Sequence, residues 1–129
     1  MEFDSRPTVC NVCGGHVSYG KMKDLGIPEY QSGYCYHCEN CGAYVGTHRK
    51  EPKDALGILA SGDVRKLRSI CHQEFDKYYY SLPGKNRAYY RLSKELGIKY
   101  EDCHFGHMDE PMLQKSLNIM KGWKKSCFR

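Results

Sequence analysis

The sequence contains no long hydrophobic run, because its longest apolar stretches are only a few residues. A membrane-spanning helix needs about 20 consecutive apolar residues, so the sequence predicts no membrane contact through a spanning segment. Residues 1–7 lack the apolar core of a secretory signal, which favours the cytoplasm. The sequence also lacks a P-loop, a G-x-S-x-G elbow and an H-E-x-x-H motif, the common signatures of nucleotide-binding and hydrolytic sites.

Positive charge is concentrated in the second half of the chain. Residues 1–61 hold six Lys and Arg against seven Asp and Glu, whereas residues 62–129 hold 14 against 8. The whole positive surplus therefore belongs to the second half. A basic surface attracts phosphate backbones, although a surplus of this size is equally typical of helix faces exposed to solvent.

Two Cys-x-x-Cys-Gly segments, 10–14 (CNVCG) and 38–42 (CENCG), are the most specific feature of the sequence. Four thiolates in two short turns suit a tetrahedral Zn²⁺ ion, and the glycine fits a turn that needs a positive φ. Without a secretory signal, this spacing indicates a metal rather than disulfides. Four sulfurs also leave no coordination position for water, so the predicted ion is structural rather than catalytic. The predicted ligands are Cys10, Cys13, Cys38 and Cys41.

The second pair of cysteines is ambiguous, since Cys35, Cys38 and Cys41 follow one another at three-residue intervals. Only Cys41 is followed by glycine, which favours Cys38 and Cys41 as the pair. We expect Cys35 to pack as a small apolar residue of a strand. An alternative site in which His48 replaces one cysteine would also be closed.

The first half, residues 1–50, is predicted to be a small β-unit clamped by zinc. Alternating apolar and polar residues, rich in β-branched and aromatic types, predict strands at 16–19, 34–38 and 43–48. Glycines and a proline between the first two strands predict a loop at 21–33.

The second half, residues 51–129, is predicted to be helical. After a turn or short helix at 52–60, apolar residues spaced by three and four predict a helix from residue 63 to residue 82. Pro83 and Gly84 are expected to end it, and two further helices follow. The predicted fold is α+β, with a small zinc-ribbon-like β-unit packed against a three-helix bundle. The residues expected at helix ends are Asp63, Asn86, Gly97 and Asp109.

Several further motifs follow the two Cys-x-x-Cys-Gly segments in a fixed order. They are AYVGTH at 43–48, LGILA at 56–60, CH at 71–72, FD at 75–76, AYYRL at 88–92, LGI at 96–98 and CH at 103–104. This order of motifs, from about residue 10 to about residue 115, resembles the zinc-finger-containing domain family, found in small proteins of bacteriophages, prophages and their bacterial hosts. The resemblance implies that Cys10, Cys13, Cys38 and Cys41 hold the metal and that the protein works in the cytoplasm of a bacterial host cell. It implies no particular activity.

The favoured function is a non-enzymatic module that binds DNA or RNA. Zinc would hold the two Cys-x-x-Cys-Gly turns rigid, while Lys and Arg side chains of the helical half would bind phosphates. Exposed tyrosines at 79, 80 and 90 would stack on unpaired bases or else complete the core, and packing is favoured for each. The candidate nucleic-acid-binding residues are Arg65, Arg68, Lys85, Arg87, Arg91 and Lys94.

Two other functions are kept as alternatives. One is a phage factor that binds a host protein as an inhibitor or adaptor. The other is a metal-dependent nuclease or hydrolase that uses His72, Asp76 and His104, with His107 and Asp109 nearby in sequence. No fixed spacing ties these residues together, and hydrogen-bonded histidines at a helix–loop junction are the favoured interpretation.

Overall fold

The computed structural model describes residues 4–50, 53–124 and 128. Contacts between α-carbons divide the chain into two units, Met1–Asp63 and Val64–Arg129. The first unit carries a small antiparallel sheet and the second carries most of the helical structure. The predicted α+β class is therefore confirmed.

The sheet of the first unit has three antiparallel strands in the order β1-β2-β3. The strands are β1, Val17–Lys21, β2, Tyr34–Cys38, and β3, Tyr44–Gly46. Val17 pairs with Cys38, so the residues that follow β2 lie beside the residues that precede β1. This register brings the two cysteine-containing turns to the same end of the sheet.

The segment 53–60 is not helical, because it bends at residues 56–58 between two bridge residues, so the helix alternative for this segment was wrong. Its residues form isolated bridges with the sheet region, in which Ala55 pairs with Thr47 and Ala60 pairs with Tyr44. Ala60 exchanges both backbone hydrogen bonds with Tyr44, and the N–H of Leu56 donates to the carbonyl of Gly46 at 2.9 Å, which outweighs the weak local helix preference. Pro52, the expected start of the segment, lies outside the described residues.

The core of the first unit is built mainly from small side chains. A larger one, the fully buried Met22, is contributed by the predicted loop 21–33, where a 3₁₀ turn spans Met22–Leu25. Because Ala and Val bury little apolar area, such a core contributes little to stability by itself. Its main cluster consists of Cys10, Val17, Cys38, Ala43, Val45, Ala55 and Leu59.

The three helices are α1, Gly62–Phe75, α2, Leu82–Leu96, and α3, Glu110–Lys121. Asp63 lies in the first turn of α1 rather than before it. None of the helices in the described part of the chain is both long and apolar enough to cross a membrane.

The first helix is shorter than predicted, and Pro83 lies in the first turn of α2 instead of ending α1. After α1 the chain forms a 3₁₀ turn, and Tyr79 is extended at φ −142° and ψ 161°. Proline lacks the N–H that the first turn of a helix leaves unsatisfied, so it is well accommodated there. Ser81 is the N-cap of α2, and Asn86, the predicted cap, lies within the helix.

Replacement of the true cap should cost stability, whereas replacement of the predicted cap should not. The Ser81 hydroxyl accepts a hydrogen bond from the N–H of Gly84 at 3.3 Å. We expect Ser81→Ala to lower the free energy of unfolding by about 1 kcal/mol. Asn86→Ala, in the exposed helix interior, should leave it unchanged or slightly higher. Urea denaturation followed by circular dichroism measures both, and the opposite ranking would contradict this assignment.

The other two predicted helix ends are confirmed. Gly97 follows α2 with φ 73°, and its N–H donates to the carbonyl of Lys94 at 3.2 Å. A positive φ is available to glycine at little cost, which explains why the helix ends there. Asp109 caps α3, since its Oδ1 accepts the N–H of Met112 at 3.1 Å.

The core of the second unit contains large aromatic side chains. Phe75 on α1 and Phe105, from the connector before α3, meet edge to face with ring centroids 5.6 Å apart. Both are fully buried, as are Cys71 and Cys103. Burial raises the pKa of Cys71 to about 11 and that of Cys103 to about 12, so both remain protonated thiols at neutral pH.

Candidate metal centre and basic groove

Four cysteine sulfurs converge at the end of the sheet. The Sγ atoms of Cys10, Cys13, Cys38 and Cys41 all lie within 4.8 Å of one another. The Cys10–Cys41 and Cys13–Cys38 separations are 3.8 Å and 3.4 Å. Sulfurs placed about 2.3 Å from a tetrahedral zinc ion are about 3.8 Å apart, so the spacing fits one ion.

Each pair of cysteines lies on a turn that a glycine closes. The N–H of Gly14 donates to the carbonyl of Cys10 at 2.9 Å, and that of Gly42 donates to the carbonyl of Cys38 at 3.1 Å. The two glycines have φ of 79° and 80°. A side chain at either position would strain the backbone, which confirms the role predicted for these glycines.

Backbone and side-chain N–H groups surround the sulfurs. The backbone N–H of Val12 donates to Sγ of Cys10, and that of Asn40 donates to Sγ of Cys38, both at 3.3 Å. The side-chain amide of Asn40 also donates to Sγ of Cys13 at 3.4 Å. Donors of this kind stabilise thiolates and orient them toward a metal.

The protonation behaviour of the thiols also suits a bound cation. Hydrogen bonds from the Asn40 side chain and then the Gly15 backbone lower the pKa of Cys13 to about 6. At Cys41 a backbone hydrogen bond at Ala43 acts in the same direction, but desolvation and the neighbouring sulfurs together raise the pKa to about 12. Four crowded thiols therefore resist full ionisation by themselves. A divalent cation offsets the repulsion among the thiolates and allows all four to bind.

Gly15, the residue after the first turn, is part of the site although sequence reasoning missed it. A Cβ there would lie 2.8 Å from Cβ of Asn40 and 3.0 Å from Sγ of Cys38. The only sequence signal was the doubled glycine, and the close approach to the second turn arises from the fold.

Substitution of Gly15 by alanine should weaken zinc binding. The added methyl group collides with Asn40 and Cys38 and must displace a ligand or its supporting amide. Loss of such support typically lowers metal affinity by about 10- to 100-fold. Gly20→Ala is the matched control, because a Cβ at Gly20 in β1 meets no atom within 4 Å. Competition with a chromogenic chelator measures both affinities, and equal values would refute this role.

Asn11 connects the first cysteine turn to the segment 53–60 by hydrogen bonds. Its amide nitrogen donates to the carbonyl of Leu59, and its Oδ1 accepts the N–H of Leu59, both at 2.9 Å. The side chain thus pairs with a backbone as a neighbouring strand would. Nothing in the local sequence marks this role, because it depends on a residue 48 positions away.

The alternatives for the fourth ligand are resolved in favour of four cysteines. Cys35 is fully buried in β2 outside the group, and burial raises its pKa. His48 is exposed and also lies outside the group. A zinc ion held by this group would therefore have four sulfur ligands and a closed coordination sphere.

Two Cys-x-x-Cys-Gly turns around one cluster of sulfurs define a zinc finger. The chain belongs to the zinc-finger-containing domain family, whose model matches residues 6–123. No curated protein and no solved structure matches the chain significantly. The matched range contains all four cysteines, and the protein has a site for one structural zinc ion.

The candidate hydrolytic residues do not form a second metal site. Among the described residues, His72, Asp76 and His104 belong to no group of three or more potential ligands close enough for one ion. His72 packs edge-on against Phe105 with ring centroids 4.9 Å apart, and desolvation lowers its pKa. Asp76 accepts a hydrogen bond from the hydroxyl of Tyr79 at 2.6 Å. These contacts serve packing and local structure.

The remaining members of that set have local contacts of their own. The rings of His104 and His107 lie 5.1 Å apart, and burial followed by repulsion from His104 lowers the pKa of His107. Asp109 caps α3, as described above.

Part of the predicted basic set surrounds a shallow groove on α2. The groove has a volume of about 490 Å³. We call it the α2 groove, and its lining consists of Asn86, Arg87, Tyr90, Arg91, Tyr100 and Phe128. Lys94 lies beside it, with Nζ 5.1 Å from the ring centroid of Tyr90.

The two arginines of the α2 groove are held by specific contacts. Nη2 of Arg87 donates to the carbonyl of Phe128 at 3.3 Å. The guanidinium of Arg91 lies 5.1 Å from the ring centroid of Trp123, and its Nε is 3.4 Å from Oε1 of Glu95. Arginines that are already oriented lose less side-chain entropy when they bind an anion.

The other three candidate cations lie outside the lining of the α2 groove. Arg65 and Arg68 are partly buried on α1, and Lys85 is partly buried on α2. Burial, and then the charge of Arg65, lowers the pKa of Arg68 to about 10. The six predicted residues thus do not line a single groove.

The tyrosines also divide into different environments. Tyr79 is half-buried, with its ring 5.3 Å from that of Phe75. Tyr80 is 74% exposed but does not line the α2 groove, whereas Tyr90 is 54% exposed and does. Tyr100, from a 3₁₀ turn of the connector, was missed because its position in the groove depends on the fold.

Proposed function

We propose that this zinc-finger protein is a non-enzymatic module that binds nucleic acid through the α2 groove. The observation that carries the proposal is the lining of the groove, where Arg87 and Arg91 lie beside the exposed rings of Tyr90 and Tyr100. Guanidinium groups recognise phosphates, and aromatic rings recognise the faces of bases.

The zinc site supports this proposal by having no catalytic character. Four sulfurs leave no position for a water molecule or a substrate, so the ion stabilises the first unit. The function is therefore assigned to the helical unit, where the accessible cations of α2 lie. Arg87, Arg91 and Lys94 are all exposed.

Binding to oligonucleotides tests the proposal directly. The zinc-loaded protein is titrated into labelled single- and double-stranded DNA and RNA at low salt, with fluorescence anisotropy as the readout. We expect a dissociation constant in about the micromolar range and an affinity that falls as salt is added. Absence of binding to all four probes at low salt would overturn the proposal. A host protein would then be the remaining partner, since Arg and Tyr are also enriched at protein interfaces.

A further inference from the structure

The α2 groove is lined by two tyrosine rings, which the binding of a duplex does not require. Tyr90 on α2 and Tyr100 on the following 3₁₀ turn come from different elements, yet both rings line it. Their centroids are 6.4 Å apart and their planes are inclined by 46°, so the rings form an open pair rather than a closed stack. They are 54% and 42% exposed.

We propose that the α2 groove binds unpaired nucleotides, and that the ligand is therefore single-stranded nucleic acid. This inference rests on the proposed function and specifies its substrate class. In a duplex the faces of the bases are covered by their neighbours and only the edges and phosphates are accessible. Tyrosine rings in the groove gain contact only with bases whose faces are exposed.

The surface inside the α2 groove is almost wholly apolar, so the polar ends of its side chains are available to the parts of a nucleotide that lie outside the groove. Arg87 uses Nη2 for Phe128, and a guanidinium has five N–H donors, so further donors of Arg87 remain for a phosphate. Asn86 is another lining residue, and a side-chain amide both donates and accepts hydrogen bonds, as the edge of an unpaired base requires. Lys94 adds a cation beside the Tyr90 ring.

The shape of the α2 groove favours the same ligand. Its volume of about 490 Å³ lies within the range of small-ligand pockets. A depression of this size receives a protruding base. Duplex DNA would instead present a regular row of phosphates to a broad basic surface, and Arg65, Arg68 and Lys85 do not extend the lining of this groove.

The test compares strandedness and tyrosine variants in one binding assay. Labelled single-stranded DNA and RNA bound to the protein are competed with unlabelled single strands or with the matching duplexes. We expect single strands to compete at least about tenfold better than duplexes. Tyr90→Ala and Tyr100→Ala should each weaken single-strand binding by about 5- to 150-fold, the value of one base stack. Tyr90→Phe, which keeps the ring, should bind like the unmodified protein.

Tyr80→Ala is the matched control, because Tyr80 is an exposed tyrosine outside the α2 groove. It should leave binding unchanged. Equal competition by duplexes, together with unchanged binding by Tyr90→Ala and Tyr100→Ala, would overturn this inference. If Arg87→Glu still weakened binding in that case, the proposed function would stand with phosphate contacts alone. Absence of any binding would overturn both, and circular dichroism confirms that each variant is folded.

Discussion

Removal of zinc is expected to unfold the first unit and leave the helices of the second unit formed. The main hydrophobic cluster of the first unit includes two of the ligands, Cys10 and Cys38, and otherwise consists mostly of Ala and Val. Structural zinc contributes about 10 kcal/mol or more of apparent binding free energy in small zinc fingers. A core this small cannot replace that contribution. The second unit instead buries Phe75, Phe105 and Leu92 and contains no metal ligand among its described residues.

Two-dimensional NMR of the amide groups measures this effect with a chelator present and absent. Amide signals of the first unit should collapse to the shifts of an unfolded chain, while the helical signal in circular dichroism largely persists. Cys38→Ser should behave like the chelated protein. Cys35→Ala is the matched control, because Cys35 is a buried cysteine outside the cluster, and it should retain one zinc ion per chain. Dispersed signals of the first unit in the chelated protein would contradict the structural role of the metal.

Charge reversal in the α2 groove is the second change with a large expected effect. Arg87→Glu combined with Arg91→Glu should abolish measurable binding to nucleic acid. For every phosphate that the protein no longer neutralises, the slope of log affinity against log salt should fall by about 0.7 to 0.9. The double variant therefore flattens the salt dependence as well as weakening binding.

The single variants separate charge from packing. Arg91 also contacts Trp123 and Glu95, so its replacement changes local structure as well as charge. Arg87→Glu is the cleaner test, since the Arg87 guanidinium is held by a hydrogen bond to a backbone carbonyl rather than by a ring and a carboxylate. Lys115→Glu on α3 makes the same charge change at an exposed position outside the lining of the groove. Equal losses for Arg87→Glu and Lys115→Glu would show that net charge, rather than the groove, determines binding.

The metal site could be predicted because each pair of ligands is specified by residues that are close together in the sequence. The spacing of Cys10, Cys13, Cys38 and Cys41 and the glycine after each pair specify the two turns, and the structure confirms them. The cap at Asp109 and the stop at Gly97 were predictable for the same reason.

The errors in the predicted helices arose where one local sequence pattern is compatible with two different structures. A Pro-Gly pair ends many helices, but proline is also favoured in a first turn, and Ser81 two residues earlier decides between them. The apolar residues at 55–60 are compatible with a helix, but in the structure Ala55 and Ala60 pair with residues of the sheet region instead. In the second case the competing interaction involved residues outside the segment that produced the prediction, whereas Ser81 lay inside the predicted first helix.

Other features depend on contacts between distant parts of the chain. The missing side chain of Gly15 leaves room for Asn40 beside the sulfurs, and Asn11 connects the first cysteine turn to Leu59, yet neither residue has a distinctive local pattern. Tyr100 joins the α2 groove only because the connector after α2 folds back beside the helix. Such roles become visible when the fold brings the partners together.

Zinc K-edge X-ray absorption on the zinc-loaded protein tests the central claim about the metal most directly. The four-cysteine site predicts one zinc ion per chain with four sulfur neighbours at about 2.3 Å and no nitrogen or oxygen ligand. A nitrogen or oxygen neighbour at about 2.0–2.2 Å, or a protein that binds no zinc, would contradict a closed structural site built from Cys10, Cys13, Cys38 and Cys41.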